Sequence, residues 1–207
     1  MIQITNEDNL KLMSRYEDKY FDLAIVDPPY GILNKTPRGG DYKFNKDEYS
    51  KWDIKPTQEY FDELFRVSKN QIIWGGNYFG ELWLRNPYNK CFVIWDKNQP
   101  ESLNNFSMAE LAWTSFDKPS KIFHFSVRKN RNKLHPTQKP VELYEWLLRM
   151  FAKKNDKILD THLGSGTLAV ACFNLEFDLI ACEISKEYYQ KALCKLEEHK
   201  SNRLNLF

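Results

Sequence analysis

The chain has 207 residues, with 30 Lys and Arg, 28 Asp and Glu, and a formal net charge of +2 at pH 7. This length predicts one compact domain. The near-zero charge excludes a uniformly basic protein but leaves room for a local nucleic-acid surface. Hydrophobic residues make up 42% and charged residues 28%, which is typical of a folded protein rather than a disordered one. No stretch approaches the roughly 20 apolar residues of a membrane span, and the amino terminus lacks a secretory signal pattern.

Short apolar strands alternate with amphipathic helices along the chain, which predicts a mostly parallel α/β sheet. Two segments lack a clear period: residues 31–55, which we interpret as a long loop, and residues 117–139. Pro140 is expected at the first position of a helix. The predicted strands are residues 1–5, 21–26, 71–74, 91–95, 109–114, 158–160 and 177–183, and the predicted helices are residues 7–17, 57–67, 140–154, 167–174 and one that follows Ser185.

The chain has four cysteines, and no two of them form a C-x-x-C pair. Three of them lie in apolar segments, so we expect buried, reduced thiols rather than a zinc site or disulfides. The cysteines are Cys91, Cys172, Cys182 and Cys194.

The buried strand 21–26 ends in Asp27-Pro28-Pro29-Tyr30. The prolines cannot continue a central strand and make the turn stiff, and in a doubly wound sheet the carboxyl ends of the strands form the ligand crevice. A carboxylate, fixed carbonyl acceptors and an aromatic ring suit the exocyclic amino group of a nucleobase, whose nitrogen lone pair is delocalised into the ring. Hydrogen bonds from the amino group to Asp27 and a prolyl carbonyl would free that lone pair, and we expect Tyr30 to stack on the base.

A strand, a glycine turn and a helix follow one another in residues 158–174. Gly164 and Gly166 let the backbone approach a ligand closely. The next strand ends at Glu183, 19 residues after Gly164. Dinucleotide-type folds place at this spacing a carboxylate that accepts hydrogen bonds from ribose hydroxyls. The sequence therefore predicts a site for a cofactor that contains a nucleoside.

Two cofactors fit this turn. Residues 164–169 satisfy G-x-G-x-x-A, so a nicotinamide dinucleotide is one of them. The other is S-adenosylmethionine, which has an ammonium group and a sulfonium but no phosphate. The carboxylate of Asp160 just before the glycines would repel a pyrophosphate and attract the ammonium group, and it therefore favours S-adenosylmethionine.

These motifs resemble those of the amino-group DNA methyltransferases that use S-adenosylmethionine, in the motif order of the beta group. Residues 27–30 are similar to the catalytic motif of that family. Residues 160–167 resemble its cofactor motif D-P-F-x-G-S-G-T, with Thr161-His162 in place of Pro-Phe. Further similar segments are residues 74–77, residues 95–97 and the H-P-T-Q-K-P segment at residues 135–140. The resemblance covers most of the chain.

The resemblance implies a single Rossmann-like, doubly wound methyltransferase domain over residues 1–207, with a circularly permuted motif order and a mostly parallel seven-stranded sheet. It also implies that the N-terminal strand is the third of the usual sheet and that the two motifs lie on adjacent central strands, as in-line methyl transfer requires. The implied catalytic residues are Asp27, Pro28, Pro29 and Tyr30. The implied cofactor-binding residues are Asp27, His135, Thr137, Lys139, Asp160, Leu163, Gly164, Ser165, Gly166, Thr167, Glu183 and Ile184.

Residues 118–139 contain seven Lys or Arg and no Asp or Glu. The family has its target-recognition segment at this position, and we expect a short insertion at about 117–139. Beside a base-modifying site, such a run indicates contact with phosphates. The loop after Tyr30, with Lys43 and Lys46, is a second basic surface that we expect to close over a flipped base. The expected DNA-binding residues are Lys35, Arg38, Lys121, Arg128, Lys129, Arg131 and Lys133.

The sequence therefore predicts methyl transfer from S-adenosylmethionine to N6 of a flipped adenine in double-stranded DNA, within a restriction-modification system. Asp27 favours adenine, because family members that act on cytosine N4 often have serine there. The alternatives are an N4-cytosine DNA methyltransferase, an NAD-dependent oxidoreductase, a non-catalytic DNA-binding relative, and RNA as the substrate. The resemblance implies a homodimer, for which the sequence itself holds no signal. We expect no metal or membrane contact, and a location in the cytoplasm of a prokaryotic or phage-infected cell.

Overall fold

The computed structural model describes residues 1–32, 53–99, 107–126 and 138–204. These residues form eight strands and six α-helices. The strands are β1 (Ile2–Thr5), β2 (Phe21–Val26), β3 (Ser68–Trp74), β4 (Phe92–Asp96), β5 (Ala109–Thr114), β6 (Lys121–His124), β7 (Lys157–Asp160) and β8 (Asp178–Cys182). The helices are α1 (Asn9–Met13), α2 (Gln58–Val67), α3 (Gly80–Arg85), α4 (Val141–Phe151), α5 (Thr167–Asn174) and α6 (Lys186–Leu204).

The strands form one sheet in the order β1-β8-β7-β2-β3-β5-β4-β6. Strand β5 runs antiparallel to β3 and β4, and the other neighbouring pairs are parallel. The prediction of a mostly parallel sheet is thus confirmed. The prediction of seven strands is wrong for the described residues, because β6 adds an eighth strand at the edge, where Lys121 pairs with Val93. This strand lies in the segment predicted to have no regular structure.

The positions of two strands agree with the resemblance. The N-terminal strand β1 pairs with β8, with Ile2 opposite Leu179. The strand that precedes the D-P-P-Y turn pairs with the strand that precedes the glycine turn, with Ala24 of β2 opposite Leu159 of β7. The predicted catalytic and cofactor motifs therefore follow adjacent central strands.

Helices cover both faces of the sheet. In β2, Leu23 and Ile25 belong to a buried cluster that includes apolar residues of α4, α5 and α6. Ala24 and Val26 point to the other face and belong to a second cluster with α1 and α2. Because successive side chains of a strand face opposite sides, this division shows the predicted doubly wound α/β architecture.

Two helices begin or end elsewhere than predicted. Helix α1 is shorter than the expected 7–17, because the Asp8 side chain caps its start by accepting the N–H groups of Leu10 and Lys11, and Ser14 ends it. Pro140 occupies the position before α4 in an extended conformation (φ −70°, ψ 151°) instead of the first helical position.

The four cysteines are free, with Cys91, Cys172 and Cys182 buried and Cys194 exposed. Across the described ranges, no helix has the length and apolar character needed to cross a membrane.

Candidate active site

The turns after β2 and β7 meet at the carboxyl edge of the sheet. Asp27 directly follows β2, and Asp160 is the last residue of β7. Because these strands are parallel neighbours, their turns border one cavity, which has a volume of about 820 Å³. The predicted site residues that line it are Asp27, Pro28, Pro29, Tyr30, Lys139, Leu163, Gly164, Ser165, Thr167, Glu183 and Ile184.

The two oxygens of the Asp27 carboxylate have different partners. The hydroxyl of Tyr30 donates to Oδ1 at 2.6 Å, and the ammonium of Lys139 donates to Oδ2 at 2.5 Å. These two bonds fix the plane of the carboxylate inside the cavity. Burial and the neighbouring Asp27 charge raise the pKa of Tyr30 well above its usual value, so this phenol remains a donor at neutral pH.

Lys139 was predicted on the cofactor side, and the structure places its ammonium on the carboxylate of Asp27. Its side chain is 1% exposed, and its ammonium lies 3.1 Å from Oε2 of Glu110 and 4.9 Å from the centre of the Trp74 ring. Although burial disfavours its charge, the carboxylates of Asp27 and Glu110 raise the pKa of Lys139. A lysine so enclosed cannot contact DNA phosphates. Of the seven basic residues in 118–139, Lys139 is therefore excluded as a phosphate contact.

Glu110 and Lys97 are cavity residues whose part in this cluster the sequence reasoning missed. Lys97 Nζ lies 2.7 Å from Oε1 of Glu110. Burial alone would raise the pKa of Glu110, yet the ammonium groups of Lys139 and Lys97 bring it down to about 2. The sequence did contain an indication, since Glu110 is the one charged residue in the otherwise apolar strand β5, and a charge in such a strand calls for a partner.

The ring of Tyr30 lies against backbone and against a second aromatic ring. Gly75 has φ +69°, and a Cβ atom at this position would overlap the Tyr30 ring. The ring of Tyr78 stacks on Tyr30, with centroids 5.1 Å apart and planes at 21°. Tyr78 also lines the cavity, and its side chain is 42% exposed. The ring that we expected to stack on a base therefore has Tyr78 as its stacking neighbour in this structure.

The glycine turn places backbone at the cavity wall. Gly164 and Gly166 have φ of +54° and +72°, in the left-handed region that favours glycine. A Cβ atom on Gly166 would lie 2.9 Å from the Cβ of Ala192 in α6, so the close approach of that helix also requires glycine here. The chain then enters α5, whose first residue is Thr167.

Two acids flank the glycine turn. Asp160 is buried, and its Oδ1 accepts the backbone N–H of His162 at 2.9 Å. Burial raises the pKa of Asp160 to about 8. Glu183 accepts the N–H of Gly164 through Oε2 and the N–H of Ser185 through Oε1, both at 2.8 Å. Burial raises the pKa of Glu183 as well, against these hydrogen bonds.

The residues that replace Pro-Phe in the cofactor motif form a polar network. Nδ1 of His162 lies 3.0 Å from the hydroxyl of Thr161, and Nε2 lies 3.2 Å from the side-chain amide of Asn9. The hydroxyl of Tyr60 lies 2.7 Å from that of Thr161. Burial lowers the pKa of His162 to about 4, so the wall of the cavity is polar and uncharged at this point.

Most of the residues expected to bind DNA lie outside the described residues. Lys121 is described and begins the edge strand β6. Lys118 lies over the rings of Phe116 and Phe151. The predicted residues outside the described ranges are Lys35, Arg38, Arg128, Lys129, Arg131 and Lys133, together with Lys43, Lys46 and, on the cofactor side, His135 and Thr137.

Curated relatives of the chain include Type II methyltransferases of bacteria. The chain is 27% identical to the Type II methyltransferase M.HpaI of Haemophilus parainfluenzae, over 91% of this chain and 72% of that protein. It is 24% identical to the Type II methyltransferase M2.MboI of Moraxella bovis, over 87% of this chain and 82% of that protein.

Solved structures share the fold. The complex of M1.HpyAVI with S-adenosylmethionine aligns with a TM-score of 0.68 at 23% identity, covering 95% of this chain and all of that one. The cytosine-N4-specific PvuII DNA methyltransferase aligns with a TM-score of 0.64 at 14% identity, covering 99% and 93% of the two chains.

A family model described as DNA methylase, for N6 and N4 methyltransferases, matches residues 73–193. The match spans more than half of the chain and includes Lys139, the glycine turn and Glu183. The protein therefore belongs to the family of amino-group DNA methyltransferases.

Proposed function

We propose that this enzyme transfers a methyl group from S-adenosylmethionine to N6 of an adenine that is flipped out of double-stranded DNA. One observation carries the proposal. The Asp27 carboxylate, held by Tyr30 and Lys139, shares a cavity with the glycine turn and Glu183. An amino-group acceptor site and a nucleoside-binding turn thus lie side by side, which is the arrangement that a methyl transfer to a base requires.

The acceptor side of the cavity supports chemistry at an exocyclic amine. Asp27 accepts a hydrogen bond from the target amino group, and the rigid Pro28-Pro29 segment offers carbonyl oxygens for the second N–H. These bonds withdraw the nitrogen lone pair from the ring and make it available as a nucleophile. A base inside a duplex cannot enter such a cavity, so the target nucleotide must be extruded, at a cost of a few kcal/mol.

The other side of the cavity fits a cationic nucleoside. S-adenosylmethionine supplies a methyl group on a sulfonium when it is bound. Asp160 lies at the end of β7 and is not among the residues that line the cavity, so we expect an ammonium group to reach its buried carboxylate from the cavity. Glu183, which does line the cavity, offers an anchored carboxylate to ribose hydroxyls. The exposed side chain of Ile184, which also lines the cavity, offers an apolar surface to an adenine ring. His135 and Thr137 stay predicted cofactor contacts.

Asp27 is the residue that favours adenine over cytosine. The fold does not decide the base, since it is shared with a cytosine-N4-specific enzyme. N4-cytosine methylation is therefore the alternative for this chain. Four features stay predictions. They are the permuted motif order, target recognition by residues 117–139, the homodimer, and the cytoplasmic location in a prokaryotic or phage-infected cell.

Labelled methyl transfer tests the proposal. The purified chain is incubated with S-adenosylmethionine labelled in its methyl group and mixed-sequence duplex DNA, and the DNA is digested to nucleosides. We expect the label in N6-methyladenine. Label in N4-methylcytosine would overturn the choice of base, and a chain that binds S-adenosylhomocysteine but labels neither base would overturn the activity.

A pair of aspartate variants tests the role of the carboxylate. Asp27→Ala is expected to slow transfer on the order of 100-fold or more, as for the loss of other preorganised hydrogen bonds at a reacting centre. Asp18→Ala is the matched control, because that side chain is 76% exposed in an ion pair with Arg66. Equal transfer rates in the two variants would contradict the proposed role of Asp27.

A further inference from the structure

Four charged side chains form a row of alternating sign that ends at the catalytic carboxylate. Asp27 Oδ2 lies 2.5 Å from Lys139 Nζ, which lies 3.1 Å from Glu110 Oε2. Glu110 Oε1 lies in turn 2.7 Å from Lys97 Nζ. The four residues come from the turn after β2, the residues before α4, the strand β5 and the residue after β4. No local sequence pattern joins them, so the fold alone brings the row together.

The ammonium of Lys139 is shared by the carboxylates of Asp27 and Glu110. Its side chain is 1% exposed and lies beside the Trp74 ring, so water does not solvate the charge. A buried ion pair that loses one partner leaves an uncompensated charge, which is strongly unfavourable. Lys139 therefore has to be held by Asp27 and Glu110 together, and each carboxylate weakens the hold of the other on the ammonium.

This sharing bears on the reaction, because Asp27 serves as a hydrogen-bond acceptor. An ammonium bound to Asp27 alone would neutralise the carboxylate and weaken its hydrogen bonds to a target amine. Glu110 draws part of that interaction away. In the opposite case, without the ammonium, Asp27 and Glu110 would face each other as two like charges with no cation between them.

The remaining titratable groups around Asp27 do not replace Lys139. Tyr30 donates to Asp27, and burial keeps the pKa of Tyr30 and of Tyr144, from α4, well above the usual value. Asp160, from β7, is a third carboxyl group near Asp27. In the part of the chain that the structure describes, Lys139 is thus the cation in contact with Asp27.

We infer that Glu110 is a positioning residue for methyl transfer, which acts through Lys139 to set the charge and the hydrogen-bonding strength of Asp27. The inference rests on the proposed role of Asp27. It assigns Glu110 and Lys139 to the acceptor side of the reaction and gives them no contact with the cofactor.

The pH dependence of methyl transfer in three variants tests the inference. Single-turnover rates at saturating S-adenosylmethionine and DNA report the step itself, with Asp160 already paired. Lys139→Met is expected to move the acidic limb of the profile to higher pH by on the order of one unit or more. At pH 7 its transfer rate should be at least about tenfold below that of the wild type. As the pH rises towards 9, the rate should approach that of the wild type. Glu110→Gln is expected to move the same limb downward.

The double variant Lys139→Met/Glu110→Gln gives the decisive result. The double variant lacks the Glu110 charge that faces Asp27. We therefore expect its acidic limb to return towards that of the wild type, and its transfer rate at pH 7 to exceed the rate of Lys139→Met. A merely structural role for Glu110 predicts no rescue. Identical profiles for Lys139→Met and the double variant would overturn the inference.

Two controls separate the possible failures. Lys90→Met removes a lysine whose side chain is 72% exposed, and it is expected to keep the wild-type profile. Asp27→Ala is run alongside, and retained transfer there would refute the proposed role of Asp27 rather than the role of Glu110. If thermal melting shows that Lys139→Met does not fold, the pH profile of Glu110→Gln is the test. An acidic limb of Glu110→Gln at the wild-type position would then overturn the inference.

Discussion

The backbone N–H of Gly164 donates a hydrogen bond of 2.8 Å to Oε2 of Glu183, although 19 residues separate them in the chain. The bond joins the turn after β7 to the residue that follows β8. The other oxygen of Glu183 accepts the N–H of Ser185 at 2.8 Å. Both oxygens are thus anchored at the cavity wall, where we expect the carboxylate to accept a ribose hydroxyl.

Glu183→Gln is therefore expected to weaken the binding of S-adenosylhomocysteine. Hydrogen bonds to a charged group contribute about 1.5–3 kcal/mol each, so the affinity falls by about tenfold to a hundredfold, as measured by titration calorimetry. Glu187→Gln is the control, since that side chain is 71% exposed at the start of α6. Equal affinities in the two variants would refute the role of Glu183.

We predict that Asp160 makes cofactor binding depend on pH. Burial raises its pKa to about 8, so the free protein at pH 7 holds mainly the protonated acid, and only the carboxylate pairs with an ammonium group. Binding of S-adenosylhomocysteine is expected to release a proton at pH 7 and to strengthen as the pH rises towards 8. Calorimetry in two buffers of different ionisation enthalpy measures the proton. Asp160→Asn should bind S-adenosylhomocysteine weakly and release no proton. The prediction would be contradicted if the wild type released no proton either.

The same group affects the stability of the protein without its cofactor. A folded-state pKa of about 8, against 3.8 for an unperturbed Asp, means that folding favours the protonated acid. This stabilisation is fully present below pH 3.8, declines as the pH rises, and is lost above about 8. Asp160→Asn should remove this part of the pH dependence of the free energy of unfolding, as measured by urea denaturation between pH 5 and about 8.5. A variant whose stability changes with pH as in the wild type would contradict the prediction.

Gly75 determines where the Tyr30 ring can lie. A Cβ atom at Gly75 would overlap that ring, and the left-handed conformation itself costs a non-glycine residue about 1–2 kcal/mol. Gly75→Ala is expected to displace Tyr30 and slow methyl transfer at least about tenfold, since small misplacements of reacting groups lower rates strongly. The binding of S-adenosylhomocysteine should be unchanged, because Glu183 and Gly164 are not disturbed.

Gly80→Ala is the matched control for this variant. Gly80 is the first residue of α3, and a Cβ atom there meets nothing within 4 Å. Alanine is preferred to glycine in helices by up to about 1 kcal/mol, so Gly80→Ala should keep full activity and an equal or higher melting temperature. Activity that fell equally in both variants would show that the Tyr30 contact is not the cause.

The basic segment at residues 118–139 predicts binding that depends steeply on salt. Each phosphate neutralised adds about −0.9 to the slope of log K against log salt concentration. Lys129→Ala and Arg131→Ala should each make the slope shallower by about one, equally for any DNA sequence. Lys154→Ala is the control, since Lys154 is exposed just before the amino end of β7, at the edge of the sheet opposite the cavity. An affinity that does not change with salt would refute this assignment.

Local sequence features were sufficient to predict the central architecture. The apolar run of β2 ends at Pro28-Pro29, and β7 ends at a glycine turn, so both boundaries follow from backbone chemistry of a few neighbouring residues. The resemblance then placed the two strands side by side, and the register of Ala24 with Leu159 confirms this.

Features that depend on distant contacts were missed. The strand β6 has only four residues, K-I-F-H, and takes its extended form from pairing with β4. Such edge strands offer too few alternating positions for a pattern to be recognised. The contact of Glu110 with Lys139 joins residues from separate elements, and the overlap of Gly75 with Tyr30 depends on backbone torsion angles. None of these can be inferred from spacing along the chain.

The strand order also means that the two sides of the site are synthesised at different times. About 130 residues separate the end of β2 at Val26 from the start of β7 at Lys157. At a translation rate of about 5–20 residues per second, a ribosome needs roughly 7–26 s to cover this distance. Throughout that time the nascent chain contains the D-P-P-Y turn after β2. It still lacks β7, which is the parallel neighbour of β2, and the glycine turn after β7. We therefore expect no methyl transfer from a nascent chain until β7 and the glycine turn that follows it have been made.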